Sequence, residues 1–135
     1  MRTIATILAG AALVAAMPAI AKTDYKAIGE AKLSKALAGR TAGTPVSCIN
    51  LRDIRSSTVI DRTAIIYEVG SKLYLNRPTG GASSLDDDDI LVTDTHSNQL
   101  CSIDIVRLVD RGSHFPSGFV NLGKFVPYSK PAKAS

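Results

Sequence analysis

The sequence has no tryptophan, only two cysteines and two histidines, and just 5% aromatic residues in a chain of 135. Proteins that bind nucleic acids usually cluster lysine and arginine and interleave them with aromatic rings that stack on bases. Here the net charge is only +4 and the arginines are widely separated along the chain. We therefore expect no nucleic-acid partner.

Motifs that carry well-known catalytic chemistry are also missing from the sequence. It contains no G-x-S-x-G nucleophile motif, no H-E-x-x-H zinc motif and no glycine-rich phosphate loop between a strand and a helix. Because His96 and His114 are the only histidines, a zinc site would need carboxylates for its remaining ligands. The sequence thus predicts no enzyme activity, no catalytic residues and no cofactor.

The N-terminal segment is typical of an exported protein. Arg2 precedes an uncharged apolar run over residues 4–17, which is followed by the small-residue pattern A-I-A at residues 19–21. The run is shorter than the roughly 20 residues that cross a bilayer, and a cleavage pattern follows it directly. We therefore predict a signal peptide over residues 1–21, a periplasmic or secreted protein, and no stable membrane insertion after cleavage.

Export determines how the two cysteines are interpreted. In an oxidising compartment an unpaired thiol is a liability, so Cys48 and Cys101 are predicted to form a disulfide. The C-x-x-C spacing of redox-active dithiols is absent, which favours a structural role. Both cysteines have apolar neighbours, and we expect both sulfurs to be buried.

Residues 22–38 predict a short amphipathic helix or a flexible N-terminal segment. Asp24 is suited to cap the start of the helix, and Gly39 to end it. Apolar side chains recur there at approximate helical spacing, on Ala27, Ala31, Leu33 and Leu37. The Gly, Thr and Pro content of residues 39–47 is typical of a linker.

Residues 39–128 predict a β-rich domain. Short runs rich in Val, Ile, Tyr and Thr alternate with turn residues, which indicates a mainly β, small antiparallel domain, sandwich or barrel-like. Residues 70–71 (G-S) suit a two-residue hairpin, and residues 96–98 are predicted to form a second one. Residues 119–126 offer one more apolar segment, and residues 129–135 are expected to be a disordered tail.

The strand that contains Cys101 determines where the disulfide is expected. Alternation along the run "LCSIDIVRLV" places Cys101, Ile103 and Ile105 on one face, with Ser102 and Asp104 on the other. We expect the face with Cys101 to point inward. The bridge is then predicted to join the first strand to a later one across the core.

Residues 85–96, "LDDDDILVTDTH", combine five aspartates and a histidine. A calcium loop of the EF-hand type requires a turn glycine and a distal glutamate, but Ile90 occupies the glycine position and no glutamate follows at the right distance. We interpret the run as a solvated loop that leads into a strand, without a metal. The alternative hypothesis, a small hydrolase or metal-dependent enzyme, would use the candidate ligands Asp86, Asp88, Asp94 and His96.

Five short motifs together resemble an uncharacterised family of small exported proteins of Gram-negative bacteria, a domain of unknown function. The motifs are C-I-x-L-x-x-I from Cys48, V-I-D from Val59, L-N-R from Leu75, L-C-x-x-D from Leu100 and L-G-x-F from Leu122. The resemblance covers about residues 39–128. Members of the family often carry a second cysteine pair, which this chain lacks. The resemblance implies an exported β-rich domain and supplies no activity.

These observations lead to one main hypothesis and two alternatives. The main hypothesis is a periplasmic, non-enzymatic binding or structural module, stapled by one disulfide, whose partner is an unknown envelope protein or small ligand. The first alternative is the enzyme described above. The second is a secreted enzyme inhibitor that presents the loop at residues 76–84.

Overall fold

A computed structural model describes residues 22–132, so the predicted signal peptide and residues 133–135 lie outside the described part. The helix α1 spans Tyr25–Ala36, and short 3-10 turns cover Leu51–Asp53 and Ala82–Ser84. The strands are β1 (Thr41–Ala42), β2 (Cys48–Asn50), β3 (Ile54–Ile60), β4 (Ala64–Val69), β5 (Lys72–Asn76), β6 (Asp89–Thr93), β7 (Gln99–Cys101), β8 (Ile105–Asp110), β9 (Pro116–Asn121) and β10 (Phe125–Ser129).

The strands form three sheets in which every pairing is antiparallel. The largest sheet has the order β1-β10-β5-β4-β3, a second has the order β6-β8-β9, and β2 pairs with β7 alone. The prediction of a mainly β, antiparallel domain with one short N-terminal helix is confirmed.

Two apolar clusters lie on opposite faces of the five-stranded sheet. The main core combines side chains from all three sheets: Ile49, Val59, Ile65, Tyr67, Leu85, Leu100, Val106, Leu108, Val120, Leu122 and Phe125. The smaller cluster lies under α1 and contains Leu33, Leu37, Ile60, Ala64, Ile66 and Leu75. Strand β4 contributes to both clusters because its successive side chains point to opposite faces. This explains its continuous apolar run A-I-I-Y.

Helix α1 begins as predicted but buries a different stripe. The Asp24 carboxylate accepts hydrogen bonds from the backbone N–H groups of the next residues in the first turn, and Gly39 beyond the helix has a positive φ of 74°. The predicted stripe is wrong in its first half, since Ala27 and Ala31 are exposed. Gly29 is buried instead, because the helix approaches the β3–β4 turn so closely there that a side chain would collide with Thr63.

Of the two predicted hairpins, one is confirmed and one is wrong. Val69 pairs with Lys72 across Gly70 and Ser71, and Gly70 has a φ of 60°, as a tight turn of this kind requires. The predicted hairpin at residues 96–98 is absent, because β6 pairs with β8 and the intervening β7 pairs with β2.

The run "LCSIDIVRLV" is not one strand. It breaks after Cys101, where the Asp104 carboxylate accepts a hydrogen bond from the Cys101 N–H at 2.6 Å and closes a turn. The predicted inward face is therefore wrong: Ile103 and Ile105 are exposed, whereas Leu100 is buried in the core. The buried positions of β7 and β8 are all even-numbered, so the two strands keep the same alternation and the prediction chose the wrong one of its two faces.

The predicted disulfide between Cys48 and Cys101 is present. The two residues are directly opposite each other in the β2–β7 pair, with their Cα atoms 4.0 Å apart. The bridge thus ties neighbouring strands together and does not cross the core, contrary to the expectation. As whole residues both cysteines are half-buried, and the burial of their sulfurs stays a prediction.

Three boundaries differ from those predicted. The predicted linker at residues 39–47 includes strand β1, which pairs with the end of β10. Residues 119–126 do not form one segment, because a bend separates β9 from β10. Strand β10 extends to Ser129, and residues 130–132 are exposed without regular structure.

The bend between β9 and β10 is held by a buried asparagine. The Asn76 side chain is fully buried; its Nδ2 donates to the Gly123 carbonyl oxygen at 2.7 Å, and its Oδ1 accepts from the Gly123 N–H at 2.9 Å. A side chain at Gly123 would collide with the carbonyl oxygen of Arg77. The L-N-R and L-G-x-F motifs noted in the sequence therefore contact each other, and this contact is structural.

Helix α1 has 12 residues, and within residues 22–132 no helix is both long and apolar enough to cross a membrane.

Candidate functional site

The aspartate run is an ordered turn whose carboxylates mostly bind the protein's own backbone. Asp86, Asp87 and Asp88 are exposed, and the Asp86 carboxylate accepts from the Asp88 N–H at 2.9 Å. Asp89 differs, because it is buried as the first residue of β6. It accepts from the Asp86 N–H at 3.1 Å and from the Ser117 hydroxyl at 2.7 Å. The solvated loop therefore ends one residue earlier than the sequence suggested.

One group of three carboxylates gathers near this turn. Asp61, Asp86 and Asp87 each place an oxygen within 4.8 Å of the others. Two contacts already engage Asp61, which accepts from the Asp87 N–H at 2.7 Å and pairs with the Lys32 ammonium at 3.2 Å. Lys32 supplies positive charge where a cation would sit, so the group resembles a closed structural network more than a metal site.

We predict that calcium will not stabilise the protein specifically. Millimolar calcium should shift the melting temperature by no more than sodium chloride of matched ionic strength, because Lys32 and the Asp87 N–H already occupy the oxygens of Asp61. Thermal melts with both salts test this. A saturable rise in melting temperature with calcium, lost in Asp61→Asn and retained in Asp94→Asn, would contradict the prediction.

The other candidate ligands named from the sequence do not join this group. Asp88 faces Arg111, with Oδ1 and Nε 3.5 Å apart. Asp94 and His96 are exposed in the connection between β6 and β7. Within the described residues, the three-carboxylate group includes none of Asp88, Asp94 and His96, although these are three of the four candidate ligands. The hydrolase or metal-dependent enzyme stays a hypothesis without an assembled site.

The loop at residues 76–84, named as the candidate loop of an inhibitor, lies along β9. Its Thr79 N–H donates to the Asn121 carbonyl oxygen at 2.9 Å, and Gly80 forms an antiparallel bridge with the same residue. A side chain at Gly81 would collide with the backbone of Phe119. The loop is thus fastened at several points, and the inhibitor role stays a prediction.

A concave feature lies elsewhere, between the start of α1 and two loops of the five-stranded sheet. We call it the cation cleft. It has a volume of about 450 Å³ and is lined by Tyr25, Lys26, Glu30, Arg62, Thr63, Arg77, Pro78 and Ser83. The helix supplies the first three residues, the β3–β4 turn the next two, and the segment after β5 the rest.

Arg62 is held in place by the turn and by an aromatic ring. It is the central residue of the three-residue turn between β3 and β4, where its φ is 53°, and its N–H donates to the Leu85 carbonyl oxygen at 3.0 Å. Its guanidinium carbon lies 4.2 Å from the centre of the Tyr25 ring, a cation–π contact. Stacking covers one face of the guanidinium and leaves its N–H edge able to donate.

Arg77 and Glu30 form a two-bond ion pair on the wall of the cleft. The Arg77 nitrogens lie 2.7 and 3.0 Å from the two oxygens of Glu30. This hydrogen bonding lowers the pKa of the Glu30 carboxyl and raises the pKa of the Arg77 guanidinium. The pair therefore stays ionised, and each charge neutralises the other.

A smaller cleft of about 260 Å³ continues along the same side of α1. It shares Glu30 and Arg77 with the cation cleft, and the rest of its lining is Leu33, Ser34, Leu37, Leu75 and Tyr128. The Arg77–Glu30 ion pair is thus part of the lining of both clefts.

Sequence reasoning did not find the cation cleft. Arg62 and Arg77 were noted only as widely separated arginines, and Tyr25 was not singled out. Glu30 and Arg77 are 47 residues apart, so no local pattern could have paired them. The one useful signal was the amphipathic helix, whose packing on the sheet builds one wall of the cleft.

The fold and the cleft together define a small antiparallel β protein with one packed helix, one disulfide and a basic surface cleft. The chain matches no family model, no curated protein and no solved structure. The resemblance to the exported family of unknown function therefore stays a prediction.

Proposed function

We propose that the protein is a non-enzymatic binding module of the periplasm or the cell exterior, and that it holds a small anionic ligand in the cation cleft. The volume of about 450 Å³ falls within the range of about 300 to 1,000 Å³ that is typical of small-molecule sites. The lining includes Lys26, Arg62 and Arg77 against Glu30 alone, which gives the cleft an excess of positive charge.

The observation that carries the proposal is that two of the three cations in the cleft have no acidic partner in the described part of the chain. Arg77 is neutralised by Glu30, but no ion pair within residues 22–132 engages Arg62 or Lys26. An arginine fork matches the two oxygens of a carboxylate or phosphate, and a lysine adds a point charge. A ligand that carries such a group beside a small apolar or planar body would contact both cations and the Tyr25 ring.

The chemistry of the lining supports binding without catalysis. The aliphatic hydroxyls are those of Thr63 and Ser83, and Thr63 already donates to the Asp61 carbonyl oxygen at 2.8 Å. Neither histidine lines the cleft, and its one carboxylate, Glu30, is held by both oxygens in the ion pair with Arg77. The disulfide is compatible with an oxidising compartment, which supports the exported location.

We expect inorganic phosphate or succinate to bind saturably, and the binding to depend on the cleft cations. Arg62→Gln should weaken binding by about tenfold, because it removes one charge-assisted hydrogen-bond pair. Glu30→Gln should tighten it, because Arg77 is then free to contact the anion. Titration calorimetry and NMR shifts of the cleft residues measure both effects.

The matched control is Arg111→Gln, which removes an exposed arginine that is paired with Asp88 outside the cleft. Equal weakening by Arg62→Gln and Arg111→Gln would indicate general charge attraction and contradict the proposal. So would the failure of both anions to bind at millimolar concentration. Reproducible turnover in a panel of hydrolase substrates would contradict the non-enzymatic assignment.

A further inference from the structure

The three-stranded sheet β6-β8-β9 has one face in the main core and one face in solvent. On the outer side, strand pairing sets Ile90 beside Val109, and Arg107 between Val92 and Phe119. Ile105, opposite Asn121, extends the same surface. We call the outward side chains of this sheet the open face.

The open face is unusually apolar for a surface exposed to water. Ile90, Ile105 and Phe119 are 39%, 53% and 57% exposed, and Val92 and Val109 between them are half-buried. A solvated antiparallel face normally carries polar side chains in alternation with the buried ones. The five-stranded sheet, by contrast, has α1 on its second face. The apolar side chains of the open face are adjacent across the three strands, and a patch of this kind on a monomer is often functional.

Two charges of opposite sign interrupt the apolar surface. Arg107 is exposed at its centre, and Asp94 follows the end of β6, where strand alternation places it on the same face as Ile90 and Val92. Over the described residues, neither Arg107 nor Asp94 takes part in an ion pair or a side-chain hydrogen bond.

The neighbouring acidic groups are already engaged. Asp89 accepts from the Ser117 hydroxyl, Asp104 from the Cys101 N–H, and Asp110 from the Ser113 N–H at 2.6 Å. Asp88 is paired with Arg111. Among the described residues, Arg107 and Asp94 are therefore the two charged groups of this face that are free to pair with another molecule.

We infer that the open face binds a second copy of this chain in a two-fold dimer. A two-fold interface is self-complementary, so that each contact occurs twice. If the two-fold axis passes between the two charges, Arg107 of each copy lies opposite Asp94 of the other. Phe119 and Ile105 of each copy then pack against the open face of the other copy. The face carries one unpaired charge of each sign, so such an axis brings opposite charges together twice. A two-fold axis that passed through Arg107 would instead place the Arg107 side chains of the two copies against each other.

The size of the open face sets the strength of the dimer. Three strands spaced by about 4.8 Å and about six residues long at about 3.3 Å each give a flat area of roughly 300 Å². A stable interface buries about 800 Å² per partner. The dimer is therefore weak, with a dissociation constant between micromolar and millimolar, and forms where the protein is concentrated.

Sedimentation equilibrium of the purified, oxidised protein from micromolar to low millimolar concentrations tests the inference. Self-association is expected, and Phe119→Ser should weaken it by about tenfold or more. Arg107→Asp and Asp94→Arg should each weaken it too, because each leaves two like charges facing across the axis. An equimolar mixture of these two variants should restore association as a heterodimer, in which both contacts have opposite charges again.

The matched control is Ile28→Ser, which removes an exposed isoleucine of α1 outside the open face and should leave association unchanged. Circular dichroism and melting establish that each variant is folded. A protein that stays monomeric at every concentration overturns the inference. So does a mixture of the two charge variants that does not associate, or self-association that Ile28→Ser weakens and Phe119→Ser does not.

Two binding measurements distinguish the dimer from other occupants of the open face. If the monomer binds vesicles of phosphatidylcholine and phosphatidylglycerol through the open face, without self-association, the face belongs to a membrane and the inference fails. If the monomer instead binds an extended peptide of alternating valine and aspartate, again without self-association, the face belongs to a different protein. These measurements do not involve the cation cleft. A result that overturns the dimer therefore does not contradict the proposed ligand binding.

Discussion

Replacing both Cys48 and Cys101 with alanine should lower the free energy of unfolding by about 2 to 5 kcal/mol. The bridge closes a separation of 53 residues, for which the chain-entropy relation gives about 4 kcal/mol. Small single domains have only about 5 to 15 kcal/mol in total, so the loss is a large fraction of the stability. Urea unfolding of the oxidised and double-alanine proteins measures it.

The effect should arise mainly in the unfolded chain. Without the bridge the unfolded chain expands and exposes more surface, so the dependence of unfolding on urea should become steeper. Ser102→Ala, next to Cys101, is the matched control and should leave the urea midpoint nearly unchanged. Coincident midpoints for the oxidised and double-alanine proteins would show that the bridge contributes nothing. Because both cysteines are half-buried, mild reductant should open the bridge without global unfolding.

Asn76→Ala should destabilise the protein by about 2 to 5 kcal/mol, the other large expected effect. The substitution removes both hydrogen bonds to Gly123 and leaves a buried N–H and a buried carbonyl without partners. Each such group costs about 1 to 3 kcal/mol, because it loses water and gains nothing. The change also loosens the bend that aligns β10 with β5. Urea unfolding is again the measurement.

Two further variants make the Asn76 test specific. Asn98→Ala, at an exposed position in the connection before β7, should change stability by less than about 0.5 kcal/mol. Asn76→Asp keeps the shape but places a carboxylate oxygen against the Gly123 carbonyl, so it should destabilise at least as much as alanine at neutral pH. An Asn76→Ala variant as stable as Asn98→Ala would show that the amide pair carries no net stability.

The sequence by itself determined the features that rest on neighbouring residues or on composition. The hairpin at Gly70 follows from two alternating runs separated by two turn residues, and the start of α1 follows from the Asp24 cap. The disulfide between Cys48 and Cys101 follows from the presence of only two cysteines and the signs of export. In each case the deciding interaction is local, or only one partner exists.

Only the tertiary structure decided which distant strands pair and which faces point inward. The turn closed by Asp104 ends β7 and separates it from β8, so the two strands join different sheets. The buried side chains of both strands lie at even-numbered positions, whereas alternation alone allows either face to point inward. Strand β6 then pairs with β8, although β7 is nearer in sequence. The cation cleft and the Asn76–Gly123 contact join residues about 47 positions apart. Such contacts form only when the whole core packs, so no short stretch of sequence specifies them.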